Sequence, residues 1–177
     1  MQEITLILVH YVIIAPAIRR TDIVISNSEL QSMDDSSLPM YTILLPLYRE
    51  PEVAAKIVKA VEGLDYPKKK LDVKILLEAG DTETLEACGD DLPSHYEIII
   101  APDEEPRTKP RACNHGLQTA AGKYLVIYDA EDRPESDQLR KAVAAFRKYE
   151  NIACFQSKLN YYNQNQNILT KWFTIEY

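Results

Sequence analysis

An α/β fold, a mainly parallel sheet with helices on both faces, follows from three observations. Apolar runs rich in β-branched residues alternate five times with segments of helical spacing. The runs are continuously apolar rather than alternating, as strands buried on both faces are. The 177 residues, 46% apolar and 27% charged, have the composition of one globular domain with enough chain for a core.

The elements can be taken in order. Residues 41–47, YTILLPL, read as the first strand. A helix follows, because Val53, Ile57, Val61 and Leu64 recur at helical spacing. Pro51 stands where a missing N–H costs little, and Gly63 and Pro67 end the helix. Residues 71–78, LDVKILLE, form the second strand, and 81–88, DTETLEAC, a short helix capped by Asp81. Residues 96–101, YEIIIA, form the third strand. A polar loop with three prolines leads to a helix whose small-residue face (Ala112, Gly116, Leu117, Ala120) can approach a sheet closely. Residues 124–129, YLVIYD, form the fourth strand. Residues 135–150 make the clearest amphipathic helix, with Leu139, Val143 and Phe146 on one face, and 152–162 a fifth strand.

Three segments are expected: an apolar N-terminal piece (1–25), a polar Ser/Asp-rich linker (26–39) and the domain proper (40–177). The most apolar run, residues 5–18, has 14 residues, fewer than the roughly 20 of a membrane helix. A core element, an interfacial segment and part of a membrane segment all remain open for it.

Composition excludes several function classes. A net charge of −7 argues against nucleic-acid binding, which needs a basic face. The five glycines make neither a GxGxxG fingerprint nor a Walker A loop. Cys88, Cys113 and Cys154 are odd in number and far apart, which suits free thiols in a reducing compartment rather than a disulfide framework or zinc site. His10, His95 and His115 have no metal-binding context.

In a parallel sheet, ligands bind outside the carboxyl ends of the strands. The first strand ends in Pro46-Leu47-Tyr48-Arg49-Glu50, and the second in Glu78-Ala79-Gly80-Asp81. The third leads to a loop with Arg107, Lys109 and Arg111, and the fourth ends in Asp129-Ala130-Glu131-Asp132. Carboxylates spaced Asp-x-Glu can hold a hard divalent cation, and Lys and Arg can neutralise phosphate without a Gly-rich loop. Asp129 directly follows a buried run, where a carboxylate needs a partner or a ligand.

With these blocks in order, PLYRE, ILLEAGD, KPRACNHGL and YDAEDRPESDQL, the chain from about residue 40 to 177 resembles the family 2 glycosyltransferases of GT-A fold. CFQSKLNYYN and WFTIEY make it most similar to the membrane-bound branch that includes cellulose-synthase-like and phage-adsorption protein B-like enzymes. The resemblance implies transfer of a sugar, with inversion and metal assistance, from a nucleotide-diphospho-sugar to an acceptor hydroxyl. It implies that Pro46, Tyr48 and Glu50 line the nucleotide, that Glu78 contacts base or ribose, and that Lys109, Arg111 and Asn114 lie near the diphosphate. It places Mg²⁺ or Mn²⁺ on Asp129 and Glu131, with Asp129 also among the donor-binding residues, and Gln156 on the acceptor side. The implied partners are a UDP- or GDP-sugar and a carbohydrate or lipid-linked acceptor. The implied location is the cytoplasm, extending to association with the inner face of the plasma membrane.

Two positions depart from the family pattern: DxD reads Asp129-Ala130-Glu131, and Ala79 stands where many relatives have a second acidic residue. The family's acidic base and QxxRW block are not found, so the chain is expected to be truncated, to hold the donor half and to turn over poorly or not at all alone. A non-catalytic nucleotide-binding fragment is the alternative. A nucleotidyltransferase fits less well, because its Gly-rich basic loop is here PLYREPE.

Overall fold

A computed structural model of the chain describes residues 23–89, 91–102 and 108–157. The chain divides into two compact units, Met1–Ala145 and Phe146–Tyr177. The apolar run 5–18 and Arg107 lie outside the described residues.

The first unit is a four-stranded parallel sheet. Its strands are β1 (Tyr41–Leu47), β2 (Leu71–Glu78), β3 (Tyr96–Ala101) and β4 (Tyr124–Ile127), in the order β3-β2-β1-β4. Among the described residues five α-helices accompany them: α1 (Asn27–Gln31), α2 (Pro51–Glu62), α3 (Thr82–Cys88), α4 (Lys109–Leu117) and α5 (Gln138–Lys148). The first three strands have the bounds that their apolar runs predict. The fourth ends at Ile127, and the Tyr128 amide still donates to the Leu44 carbonyl at 3.0 Å, one step beyond the strand.

The alternation of β1 builds two cores. Ile43, Leu45 and Leu47 pack with Val73, Ile75 and Leu77 of β2, Ala54, Ile57 and Val61 of α2, and Leu139 and Val143 of α5. On the opposite face Leu44 and Leu76 pack with Ala101 and with Ala112 and Cys113 of α4. Helices therefore cover both faces, as expected. Each fully buried Leu or Ile contributes about 1.5–3 kcal/mol relative to exposure.

Gly116 explains how α4 sits so low on the sheet. A Cβ there would come within 2.5 Å of Leu76 Cδ2. The expected small-residue face holds at Ala112 and Gly116, but Leu117 is 53% exposed and Ala120 lies past the helix end. One residue beyond Gly116 turns about 100° around the helix, which carries Leu117 off the buried stripe.

Residues 26–39, expected as a linker, carry structure. Ser26 and Glu29 form a reciprocal capping box at α1, and Asp34 caps a 3₁₀ turn over Asp35–Ser37. Lys70 Nζ donates to the carbonyls of Asp35, Ser36 and Leu38, and the Tyr66 hydroxyl to that of Pro39. Arg140, 9% exposed, bridges Asp35 and Asp65. These bonds fasten the segment to the sheet unit.

In the second unit Phe155 meets Phe146 edge-on at 4.6 Å and Tyr149 at 6.3 Å. The expected fifth strand does not form over 152–157, where all positions but Phe155 are exposed. An apolar run becomes a strand only by pairing, and among the described residues it has no ladder partner. Residues 158–162 lie outside the described residues. Cys88, Cys113 and Cys154 are free thiols. Among the described residues no helix is long and apolar enough to cross a membrane.

Candidate functional site

Because all four strands run parallel, their carboxyl ends share one edge, and a cleft of about 340 Å³ opens there. Pro46, Leu47, Tyr48 and Glu50 enter it from the end of β1, and Glu78 from the end of β2. The first turn of α4 contributes Thr108, Lys109 and Ala112, and the loop after β4 contributes Asp129, Ala130 and Glu131. Seven of the residues singled out in the sequence, distant along the chain, thus meet in one place: Pro46, Tyr48, Glu50, Glu78, Lys109, Asp129 and Glu131.

Each wall has a distinct chemistry. Glu78 is buried at 8% exposure, and its Oε2 has no hydrogen-bond partner among the described residues. An unpartnered buried carboxylate oxygen costs free energy until a donor reaches it. In the same cleft, the Asp129 carboxylate pairs with Lys109 Nζ, both side chains about half exposed. The pair supplies the partner that a carboxylate at a strand tip needs. Asp132 closes the turn behind Asp129: its Oδ2 accepts the Asp129 amide at 2.8 Å. Burial, with the neighbouring Glu131 charge, raises the Asp132 carboxyl above its ordinary range, and Lys109 opposes the rise.

The β1–α2 loop forms the rim. Tyr48 is 49% exposed, and the Arg49 guanidinium lies over its ring, 5.3 Å from the centroid. Arg49 adopts φ 55°, the left-handed region that residues with a side chain rarely occupy. Its amide donates to Asp81 Oδ2 at 2.6 Å, and the next amide, of Glu50, donates to Thr84 Oγ1 at 3.0 Å.

Two expected residues of the first unit do not line the cleft. Arg111 Nη2 donates to the Pro102 carbonyl at 2.7 Å, and Asn114 is exposed. Gln156 is exposed in the second unit. Conversely, Thr108 and Ala112 line the cleft, and Asp81 and Thr84 support its rim, without having been singled out as site residues. Asp81 carried one signal, its helix-cap position, but its bond to a loop 32 residues upstream leaves no trace in local sequence.

The donor set at the mouth fits a hard cation, because Asp129 and Glu131 present carboxylate oxygens on one accessible turn. Among the described residues no three His, Cys, Asp or Glu side chains converge. A cation here would therefore be held by two carboxylates together with ligand oxygens and water, the mode in which Mg²⁺ joins phosphates.

Comparison with known proteins adds to this geometry. A family model described as "Glycosyl transferase family 2" matches residues 42–177. The chain is 24% identical over 143 residues to the probable glycosyltransferase YdaM of Bacillus subtilis, covering 78% of this chain and 34% of that protein. It is 25% identical over 152 residues to glucomannan 4-beta-mannosyltransferase 2 of Arabidopsis thaliana, covering 80% of this chain and 28% of that protein. The chain thus spans about a third or less of the length of these relatives. Among solved structures, the mannosyltransferase PcManGT from Pyrobaculum calidifontis, in complex with GDP-Man and Mn²⁺, superposes with a TM-score of 0.58 at 24% identity, over 78% of this chain and 39% of that one. S. aureus TarS 1–349, in complex with UDP-GlcNAc, gives 0.50 at 18% identity, over 62% of this chain and 32% of that one. Both likenesses are of fold, which is that of the GT-A glycosyltransferases.

Proposed function

The chain belongs to glycosyl transferase family 2, and we propose from that premise that its cleft is the donor site of a glycosyltransferase that takes a UDP- or GDP-sugar. The observation that carries the reading is the meeting of Glu78, Lys109, Asp129 and Glu131 in one cleft at the carboxyl edge of the sheet. Pro46 and Tyr48 supply an apolar and aromatic wall for a base, and Glu50 a polar group beside it. The unpartnered oxygen of Glu78 accepts from base N–H or ribose hydroxyl. Lys109, at the N-terminal end of α4, puts positive potential where a diphosphate lies.

Asp129 and Glu131 are the residues that hold Mg²⁺ or Mn²⁺ in this reading. A bound cation offsets charge that develops on the leaving nucleoside diphosphate. Lys109 then exchanges its bond to Asp129 for phosphate oxygens, and Asp132 keeps the turn closed through the Asp129 amide. Transfer proceeds with inversion to the hydroxyl of a carbohydrate or lipid-linked acceptor, with Gln156 on the acceptor side. The order of sequence blocks supports the membrane-bound cellulose-synthase-like branch, and with it a cytoplasmic active site at the inner face of the plasma membrane.

The test is titration calorimetry of the 177-residue chain with UDP and with GDP, each with Mn²⁺. One nucleotide should bind, and Asp129→Ala should weaken it by about tenfold or more. No heat from the wild type, or equal affinity for Asp129→Ala, would sink the donor-site reading.

A further inference from the structure

We propose that Asp81 and Thr84 are positioning residues that shape the donor cleft by clamping the β1–α2 loop in a strained conformation. The inference rests on the donor-site reading and goes beyond it, since neither side chain lines the cleft. A closed set of bonds joins two chain segments more than thirty residues apart. Asp81 Oδ2 accepts the Arg49 amide at 2.6 Å, and Asp81 Oδ1 accepts the Thr84 amide at 3.2 Å. Thr84, fully buried, turns its Oγ1 to the Glu50 amide at 3.0 Å. One carboxylate and one hydroxyl thus hold two consecutive amides of the rim.

Those amides flank the one strained point. Arg49 is the only non-glycine residue with positive φ among the described residues, at 55°. Such a backbone costs on the order of 1–3 kcal/mol and persists only where its surroundings over-determine it. The clamp provides that constraint. The clamped amides belong to the stretch that carries two cleft residues: Tyr48 and Glu50, on either side of Arg49, both line the cleft. The Asp81 carboxyl agrees with this role. Burial pulls its titration upward, yet the amides of Arg49 and Thr84 and the Thr84 hydroxyl outweigh burial and hold it below the ordinary range.

The substitution Thr84→Val keeps the shape and removes the acceptor, whereas Thr84→Ser keeps the acceptor. Asp81→Ala removes the other half of the clamp. Nucleotide affinity would be measured by calorimetry with Mn²⁺, beside the thermal midpoint of each variant and amide hydrogen exchange of the unliganded chain. Thr84→Val and Asp81→Ala should each bind about tenfold more weakly, the scale of one lost buried partner, with Thr84→Ser within about twofold of wild type. The Arg49 and Glu50 amides should exchange faster in the two weakened variants. A merely structural role would lower the midpoint and leave the affinity of folded protein unchanged. If wild type binds and both variants bind equally well, the clamp proposal is overturned. If wild type binds neither UDP nor GDP, the donor reading falls, and exchange then decides the clamp: faster Arg49 and Glu50 amides support it, and unchanged ones overturn it.

Discussion

At the scale of one residue, Glu78 sets stability against binding. Its side chain is buried, and one oxygen has no partner among the described residues. The fold bears that desolvation cost with no return from the folded chain itself. Replacing both polar atoms by an apolar group of similar length removes the cost, which can be neutral or stabilising. Glu78→Met should therefore raise stability to unfolding by about 1 kcal/mol, read from a urea midpoint at unchanged slope. The same variant should lose nucleotide affinity, because the waiting acceptor is gone. Opposite signs for stability and binding are the mark of a functional group held at the expense of the fold. A variant that is both less stable and equally competent would show that Glu78 serves packing instead.

At the scale of elements, the position of α4 decides whether the cleft has a wall. Lys109 and Ala112 reach the cleft from its first turn, and Gly116, further along the same helix, lies against Leu76 and Leu44 of the sheet. A methyl group at Gly116 would stand 2.5 Å from a Leu76 terminal carbon that is itself enclosed. Gly116→Ala should cost about 1–3 kcal/mol by overpacking, a penalty that a helix-propensity argument would predict with the opposite sign. The urea midpoint checks it, and a midpoint at or above wild type would refute the close approach.

This helix also marks how far the sequence could be read. The small-residue stripe announced a close approach, and the continuous apolar runs announced β1, β2 and β3 with their bounds. Such patterns state how much burial a segment wants but not which neighbour provides it. The run from 152 is apolar enough for a strand, yet over 152–157 it stays unpaired among the described residues. At the cleft, residues placed at strand ends were legible because a parallel sheet collects its ends on one edge. Arg111 and Asn114 lie on the same helix as Lys109, but the helical turn carries them away from the cleft. The Asp81 and Thr84 contacts were hidden because they join side chain to backbone across the fold, where no local pattern records them.

At the scale of the whole molecule, one polar network ties the sheet together under α4. Asp72 Oδ2 accepts the Thr42 hydroxyl at 2.8 Å and the Ala121 amide at 2.9 Å. Asp72 Oδ1 pairs with Lys74 Nζ at 2.8 Å, and Lys74 pairs in turn with Glu97. Thr42 Oγ1 accepts the Gly122 amide at 2.8 Å. Asp72 thereby links β1, β2, β3 and the chain entering β4. Burial pushes its carboxyl upward, but the Ala121 amide, Lys74 and Thr42 outweigh that, and it titrates below its ordinary 3.8. A carboxylate lowered in the folded state adds stability that is complete above its unfolded value and is lost as pH falls through the folded one. The chain has 27 acidic side chains, so acid unfolding alone cannot single out Asp72. The difference between wild type and Asp72→Asn can. At about pH 7 the variant should be less stable by about 2 kcal/mol, the scale of a charged hydrogen-bond partner lost inside a network. That gap should persist down to about pH 4 and close as pH falls further, because protonation then removes from wild type what the substitution had already removed. Urea unfolding at a series of pH values reads the gap directly, and two curves that stay parallel into acid would mean the network draws its strength from Lys74 and Glu97 instead.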